Sequence, residues 1–215
     1  MVNEEVCIFY TQFETEIPPA KFEFLLNLLP INLRDSVLKY RRWQDRHTSL
    51  LGKLLLRHAL AQNNLANSLS ELYYEDNGRP YLKALPIDFN ISHSGNVVIC
   101  ALTFQYRLGI DLEEVLPIDL YDFKNQFNSE EWDYIITSEN PLVEFYHYWT
   151  MKESIVKADG GGVSKLTNFK IINGNQTTLS GDQWFTHPVF IENNYKCHVT
   201  TQIETPRFKI QKLIF

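Results

Sequence analysis

The order of segments along the chain predicts an α+β protein of two similar α+β halves, residues 1–106 and 107–215, each a long helix packed on a small antiparallel sheet. Three observations carry this expectation. A strand-like run, short helices, one long amphipathic helix and several strand-like runs follow one another, and the series then restarts near residue 107. The composition, 44% hydrophobic and 21% charged, is that of an ordinary globular protein. No low-complexity linker separates the halves, so a site at their junction is the natural expectation.

In the first half, residues 6–10 read as a strand and residues 21–29 and 33–40 as short helices. Residues 45–61 read as a long helix, with Leu51, Leu54, Leu55 and His58 at helical spacing. Gly52 inside it costs about 1 kcal/mol relative to Ala, which predicts close packing there. Strands follow at 71–75, 88–92 and 97–104, separated by the turn residues Asn77-Gly78-Arg79-Pro80 and Ser94-Gly95-Asn96. In the second half, 107–113 reads as a strand, 120–126 and 129–137 as short helices, and 141–159 as the long helix. Asn140 is its N-cap, Pro141 its first residue and Gly160-Gly161-Gly162 its stop. Strands are expected at 167–172, 183–190, 195–202 and 208–213.

Composition narrows the function. A formal net charge of −6 disfavours nucleic acid as a partner. No apolar run is long enough to span a bilayer, and residues 1–5 lack the features of a signal peptide. Cys7, Cys100 and Cys197 are widely spaced in strand-like runs and read as reduced thiols of a cytoplasmic protein. Between Leu33 and His58, seven basic residues (Arg34, Lys39, Arg41, Arg42, Arg46, Lys53, Arg57) face two acids, Asp35 and Asp45. That face is either simply solvated or a dock for a small polyanion or an acidic partner.

The chemistry begins with an acid in the wrong place. On the 141–159 helix, Leu142, Phe145, Tyr146, Trp149 and Val156 form an apolar stripe. Glu153 stands eleven residues after Leu142, about 20° from it on the helical wheel. A buried carboxylate is costly unless it is paired or metal-bound. On the strand 107–113, Asp111 and Glu113 face one side, their attachment points about 6.8 Å apart. Asp-x-Glu on a strand is weak by itself; with Glu153 turned inward, three converging acids call for protonation or a hard cation. Oxygen ligands favour Mg²⁺ or Mn²⁺ over zinc, and Mg²⁺ held by few carboxylates commonly also holds substrate phosphates. Lys157, four residues after Glu153, reads as a phosphate ligand, because an exposed helical pair is worth only about 0.2–0.5 kcal/mol. Lys152 is placed on a solvated flank. Ser92 and His93 end a strand in a polar turn that suits an anion or merely closes a hairpin. Nucleotide, metalloprotease and serine-hydrolase signatures are missing.

Together these residues resemble the larger, two-domain type of 4′-phosphopantetheinyl transferase, the surfactin-synthetase-activating type. Its F-N-x-S-H-S, G-x-D-x-E and W-x-x-K-E-x-x-x-K segments stand here as 89–94, 109–113 and 149–157. Asn77-Gly78-Arg79-Pro80 is similar to its G-[KR]-P turn and residues 47–52 to its H-x-x-L-L-G helix. The resemblance implies two halves related by a pseudo-two-fold, with coenzyme A between them. It implies transfer of the phosphopantetheine arm to a serine of an apo acyl or peptidyl carrier protein. Asp111, Glu113 and Glu153 would hold Mg²⁺, Glu153 would be the base, and Lys157 would offset charge on the leaving phosphate. Ser92, His93, Ser49 and Arg79 would lie at the nucleotide. The family's lysines for the 3′-phosphate fall near Leu33 and Ser36, leaving Arg34, Arg42 or Arg46 as substitutes. Residues 116–127 could meet the carrier's helix or be ordinary packing. Duplicated halves suggest a monomer. The rivals are a Mg²⁺-dependent phosphohydrolase acting on a nucleotide or a CoA-like substrate, and a binding module whose acids pair with lysines.

Overall fold

The computed structural model describes residues 4–83, 85–172 and 174–215. The chain divides into two units, Met1–Gln105 with Pro206–Phe215, and Tyr106–Thr205.

The first unit begins with β1 (Glu5–Gln12), α1 (Pro19–Asn27) and α2 (Ile31–Leu38). Each of these helices starts two residues before the expected position. Pro19 opens α1 and Pro30 precedes α2, where the fixed proline φ suits a helix start. The long helix α3 (Trp43–Ala61) follows, then β2 (Leu72–Tyr74), β3 (Pro80–Leu82), β4 (Ile87–Ser94) and β5 (Val97–Phe104). β5 lies between β1 and β4, antiparallel to both, while β2 and β3 form a separate ribbon. As a central strand under a helix, β5 is buried on nearly every residue. Leu50, Leu54 and Leu55 of α3 join Phe89, Val98 and Cys100 in one core. Gly52 does pack closely: a Cβ there would come 3.1 Å from Ile91 Cγ2. His47 accepts a hydrogen bond at Nε2 from the Ile17 amide, 2.7 Å, tying the segment before α1 to α3.

The second unit opens with β6 (Leu108–Glu114). A 3₁₀ stretch at Leu120–Gln126, α4 (Ser129–Thr137) and α5 (Pro141–Asp159) follow. Its other strands are β7 (Gln176–Leu179), β8 (Asp182–Pro188) and β9 (Tyr195–Thr201). The sheet order is β6-β9-β8-β7, all antiparallel. Asn140 caps α5 by accepting from the Val143 amide, and Gly160 ends it at φ 81°, donating to Val156 O. The expected strand at 167–172 does not form; only Ile172 makes an isolated bridge, to Gln176. Leu166 and Phe169 instead bury their side chains with Trp184, so the apolar pattern there records packing without a ladder.

The last strand, β10 (Arg207–Lys212), runs parallel to β1, with Glu5 opposite Arg207. Residues 206–215 therefore belong with the first unit, whereas the sequence pattern grouped them with the second. All three cysteines are free, Cys100 and Cys197 buried and Cys7 half-buried. Among the described residues no helix is long and apolar enough to cross a membrane.

Gly109 of β6 lets α5 lie directly on the strand. A Cβ at that position would overlap Ser154 O and Ala158 N of the helix backbone, and neither can swing aside as a side chain would. Gly109→Ala should therefore lower stability by about 1–3 kcal/mol, read as a shifted urea midpoint. An unchanged midpoint would mean that strand and helix are not held in this contact.

Candidate active site: an acid pair and a lysine between strand and helix

Where β6 passes under α5, three of the expected site residues come together. Asp111 points inward from β6 and is 3% exposed. Its Oδ1 accepts from Lys157 Nζ, one helical turn beyond Glu153 on α5. Glu153 is 9% exposed. Burial pushes its carboxyl above the ordinary range, the nearby Lys157 ammonium pulls it down, and the Asp111 charge pushes it up again. Two acids thus share one ammonium in a partly dehydrated setting. A carboxylate whose proton affinity is raised this way is a better base than a solvated one.

Glu113 faces the same side of β6 two residues on and is half-buried. It stands opposite Lys196 of β9, and its charge is felt by Tyr146. Among the described residues no group of three or more His, Cys, Asp or Glu has the arrangement of a protein-only metal cage. The donor set still suits a hard cation. Mg²⁺ is ordinarily held by one or two carboxylates with substrate phosphates completing its shell, and Asp111 and Glu153 supply two electrostatically coupled carboxyls.

Lys152 is not on a solvated flank. It is 1% exposed, and its Nζ donates to Glu131 Oε2 of α4 at 2.7 Å. Phe127 and Phe169 lie 5.7 and 5.0 Å from the ammonium. Burial holds that ammonium below the usual lysine range, and Glu131 partly restores it. Helical-wheel reasoning assumes one covered face, whereas α5 is buried on every residue from Thr150 to Val156: the sheet covers one side and α4 packs on another. Glu131 was legible in part. Asn128 and Glu131 form a capping box at the start of α4, a four-residue signature readable in the sequence. Only the second partner of its Oε2, Lys152, required the fold.

On β9, His198 lies opposite Asp111. Its Nδ1 is 2.8 Å from Thr150 Oγ1, which itself donates to Tyr146 O. A threonine hydroxyl has one proton, so His198 donates from Nδ1. Its buried Nε2 then lacks a hydrogen-bond partner. Burial, with like charge on His147, Lys196 and His187, lowers the His198 pKa to about 3.

The 116–127 segment divides. Phe127, Phe123 and Leu120 pack with Phe145 and Trp149, while Leu116, Ile118 and Tyr121 are exposed.

In the first unit, Ser49 of α3 and His93 of β4 line a pocket of about 220 Å³. Its floor is Leu56, Leu72, Phe89 and Ile91, and Lys53 and Tyr74 stand beside it. Arg34, Arg42, Arg46, Arg79 and Ser92 are not among its lining residues. Ser92 is buried on β4. Arg79 is largely buried, its Nη2 on Asp88 Oδ2 at 2.6 Å. Arg34 donates to Asn27 Oδ1, Asn27 O and Leu29 O, closing the end of α1. Arg46 stands 3.9 Å from Glu16 in a separate hollow, and Arg42 is exposed at the start of α3.

Known proteins resemble both parts of the chain. The sequence profile of the 4′-phosphopantetheinyl transferase superfamily matches residues 107–210, and that of the 4′-phosphopantetheinyl transferase N-terminal region matches residues 17–105. The chain is 34% identical over 154 residues to the 4′-phosphopantetheinyl transferase Sfp of Bacillus subtilis strain 168, covering 69% of this chain and 68% of that one. It is 30% identical over 219 residues to the 4′-phosphopantetheinyl transferase gsp of Aneurinibacillus migulanus, covering 95% and 92%. A mouse protein, L-aminoadipate-semialdehyde dehydrogenase-phosphopantetheinyl transferase, is 26% identical over 164 residues, covering 67% of this chain and 53% of that one.

Two expectations follow from the buried groups. Lys152→Met strands the Glu131 charge and should cost about 3–5 kcal/mol in urea unfolding, most of it recovered when Glu131→Leu is added. A double variant no more stable than the single one would argue against a direct pair. The His198 pKa is depressed in the folded state, so below about 6.5 the unfolded chain binds a proton that the native fold refuses. Stability is therefore full above that pH and is lost as pH falls toward about 3, by up to about 1.4 kcal/mol per pH unit. His198→Gln should make the loss between pH 7 and 5 shallower by roughly 1–2 kcal/mol; parallel curves for the two proteins would assign the titration elsewhere.

Proposed function

The chain belongs to the 4′-phosphopantetheinyl transferase superfamily and is an enzyme of that class, and we propose that it moves the phosphopantetheine arm of coenzyme A to a serine of an apo carrier protein. The observation that carries the residue roles is the Asp111–Lys157–Glu153 cluster. The serine oxygen would attack the phosphorus that bears the pantetheine chain. A new O–P bond forms as the bridging P–O bond of the pyrophosphate breaks, and adenosine 3′,5′-bisphosphate leaves with that electron pair. The serine proton would pass to Glu153, a carboxylate whose burial raises its proton affinity. Lys157, 29% exposed at its side chain and reaching out from the helix, would meet phosphate oxygens and oppose charge on the leaving group. Asp111, Glu113 and Glu153 would hold Mg²⁺, or Mn²⁺ in its place. The ion would neutralise pyrophosphate charge. Positioning and charge neutralisation are most of what phosphoryl transfer requires from a protein.

Leu116, Ile118 and Tyr121 offer an exposed apolar strip beyond β6, which we assign to the carrier, acyl or peptidyl. Ser49 and His93 would meet the nucleotide. The free cysteines support a reducing, cytoplasmic setting, and we take the working unit to be a monomer. The phosphohydrolase reading finds no support among the relatives.

With coenzyme A, Mg²⁺ and a panel of apo carriers, intact-mass analysis should show one phosphopantetheine added to the carrier serine. Glu153→Gln and Asp111→Ala should each lower kcat by about 100-fold or more, with circular dichroism unchanged. Release of nucleotide without a labelled carrier would defeat the transferase reading.

A further inference from the structure

The pocket of the first unit holds a cation that the roles above leave unused. Lys53 projects from α3 beside Ser49, and its Nζ donates to Ser49 Oγ at 2.9 Å and, at the limit of bonding, to Ser49 O at 3.4 Å. Among the described residues no carboxylate lies within ion-pairing distance of it. Asp45 also lines the pocket, two helical turns earlier, without reaching the ammonium. A half-buried ammonium that has given up water for a single hydroxyl has donors to spare. Burial and the neighbouring Lys39 lower its pKa to about 8, and a bound anion would offset both effects. Lys39 itself stands over the ring of Tyr40, which is part of the pocket wall.

The other candidates for an anion are engaged or misplaced. Leu33 is buried in the core, and Ser36 donates its hydroxyl to Leu33 O. Arg34 is consumed at the end of α1, and Arg46 faces Glu16 in another hollow. The pocket, by contrast, joins an apolar floor that suits a purine face to a rim of Lys53, Ser49 and His93.

We propose that Lys53, oriented by Ser49 and assisted by Lys39, binds the 3′-phosphate of coenzyme A and so sets the preference for coenzyme A over its 3′-dephospho form. A phosphomonoester carries nearly two negative charges at neutral pH, which matches two cations better than it matches one. The inference rests on the reading of the chain as a coenzyme A-dependent transferase.

Calorimetric titration of the full chain with coenzyme A and with 3′-dephospho-coenzyme A separates the two. The native protein should bind coenzyme A about tenfold or more tightly than the dephospho form, as a charge-assisted contact implies. Lys53→Gln should bring the two affinities within about threefold of each other, and Lys53→Arg should keep the preference. The ratio compares two ligands on the same folded molecules, so a smaller folded fraction does not alter it. If the native protein binds both forms equally, or Lys53→Gln keeps the native preference, or Arg42→Gln rather than Lys53→Gln removes it, the assignment of Lys53 is overturned while the transferase reading stands. If neither compound binds the native protein, the coenzyme A reading falls and the Lys53 assignment falls with it.

Discussion

At Gly109 the backbone of α5 rests on the backbone of β6 with no side chain between them, and this contact sets the distances on which the site depends. From β6, Asp111 reaches Lys157 only because the helix lies that near. Glu153, one turn earlier on the same helix, is brought within reach of the Asp111 charge by the same approach. A methyl group at position 109 would push the elements apart and lengthen each of these separations together. The glycine of the G-x-D-x-E segment is thus a spacer for acids that stand two residues and a whole helix away.

The two lysine–carboxylate pairs on α5 illustrate how burial divides structural from chemical charge. Lys152 and Glu131 are both withdrawn from water, Lys152 lies between two aromatic rings, and Glu131 is also tied to the α4 cap. Such a pair contributes little over an apolar replacement yet is costly to break, which suits a brace. Lys157 keeps part of its side chain in solvent while Asp111 does not. An ammonium that can exchange a carboxylate for a phosphate at low cost is suited to handling substrate. Two lysines five residues apart on one helix therefore do opposite work, and the difference lies in what covers each face.

Much of the site was legible from the chain. The direction of Glu153 followed from helical arithmetic, and the alternation of β6 put Asp111 and Glu113 on one face, but nothing in either pattern marked the ion pair of Asp111 with Lys157. Where reading failed, the cause was non-local. Lys152 looked solvated because α4 covers the face that periodicity counts as exposed. Arg34 looked available for phosphate because nothing local shows that it would close α1 through backbone carbonyls. The segment 167–172 had strand-like residues whose burial comes from side-chain packing under Trp184 rather than from pairing. The partner of β10 had no signal at all, since parallel pairing across almost the whole chain leaves no mark on neighbouring residues.

That last pairing bears on how the protein is made. β1 is synthesised long before β10, and one of its two edges stays open until Arg207–Lys212 has been made. During that interval the nascent first unit presents a bare ladder of amide and carbonyl groups, the kind of edge that recruits stray strands. Until the last strand is made, the first sheet lacks one of its four strands, and its edge is guarded by nothing in the chain already synthesised.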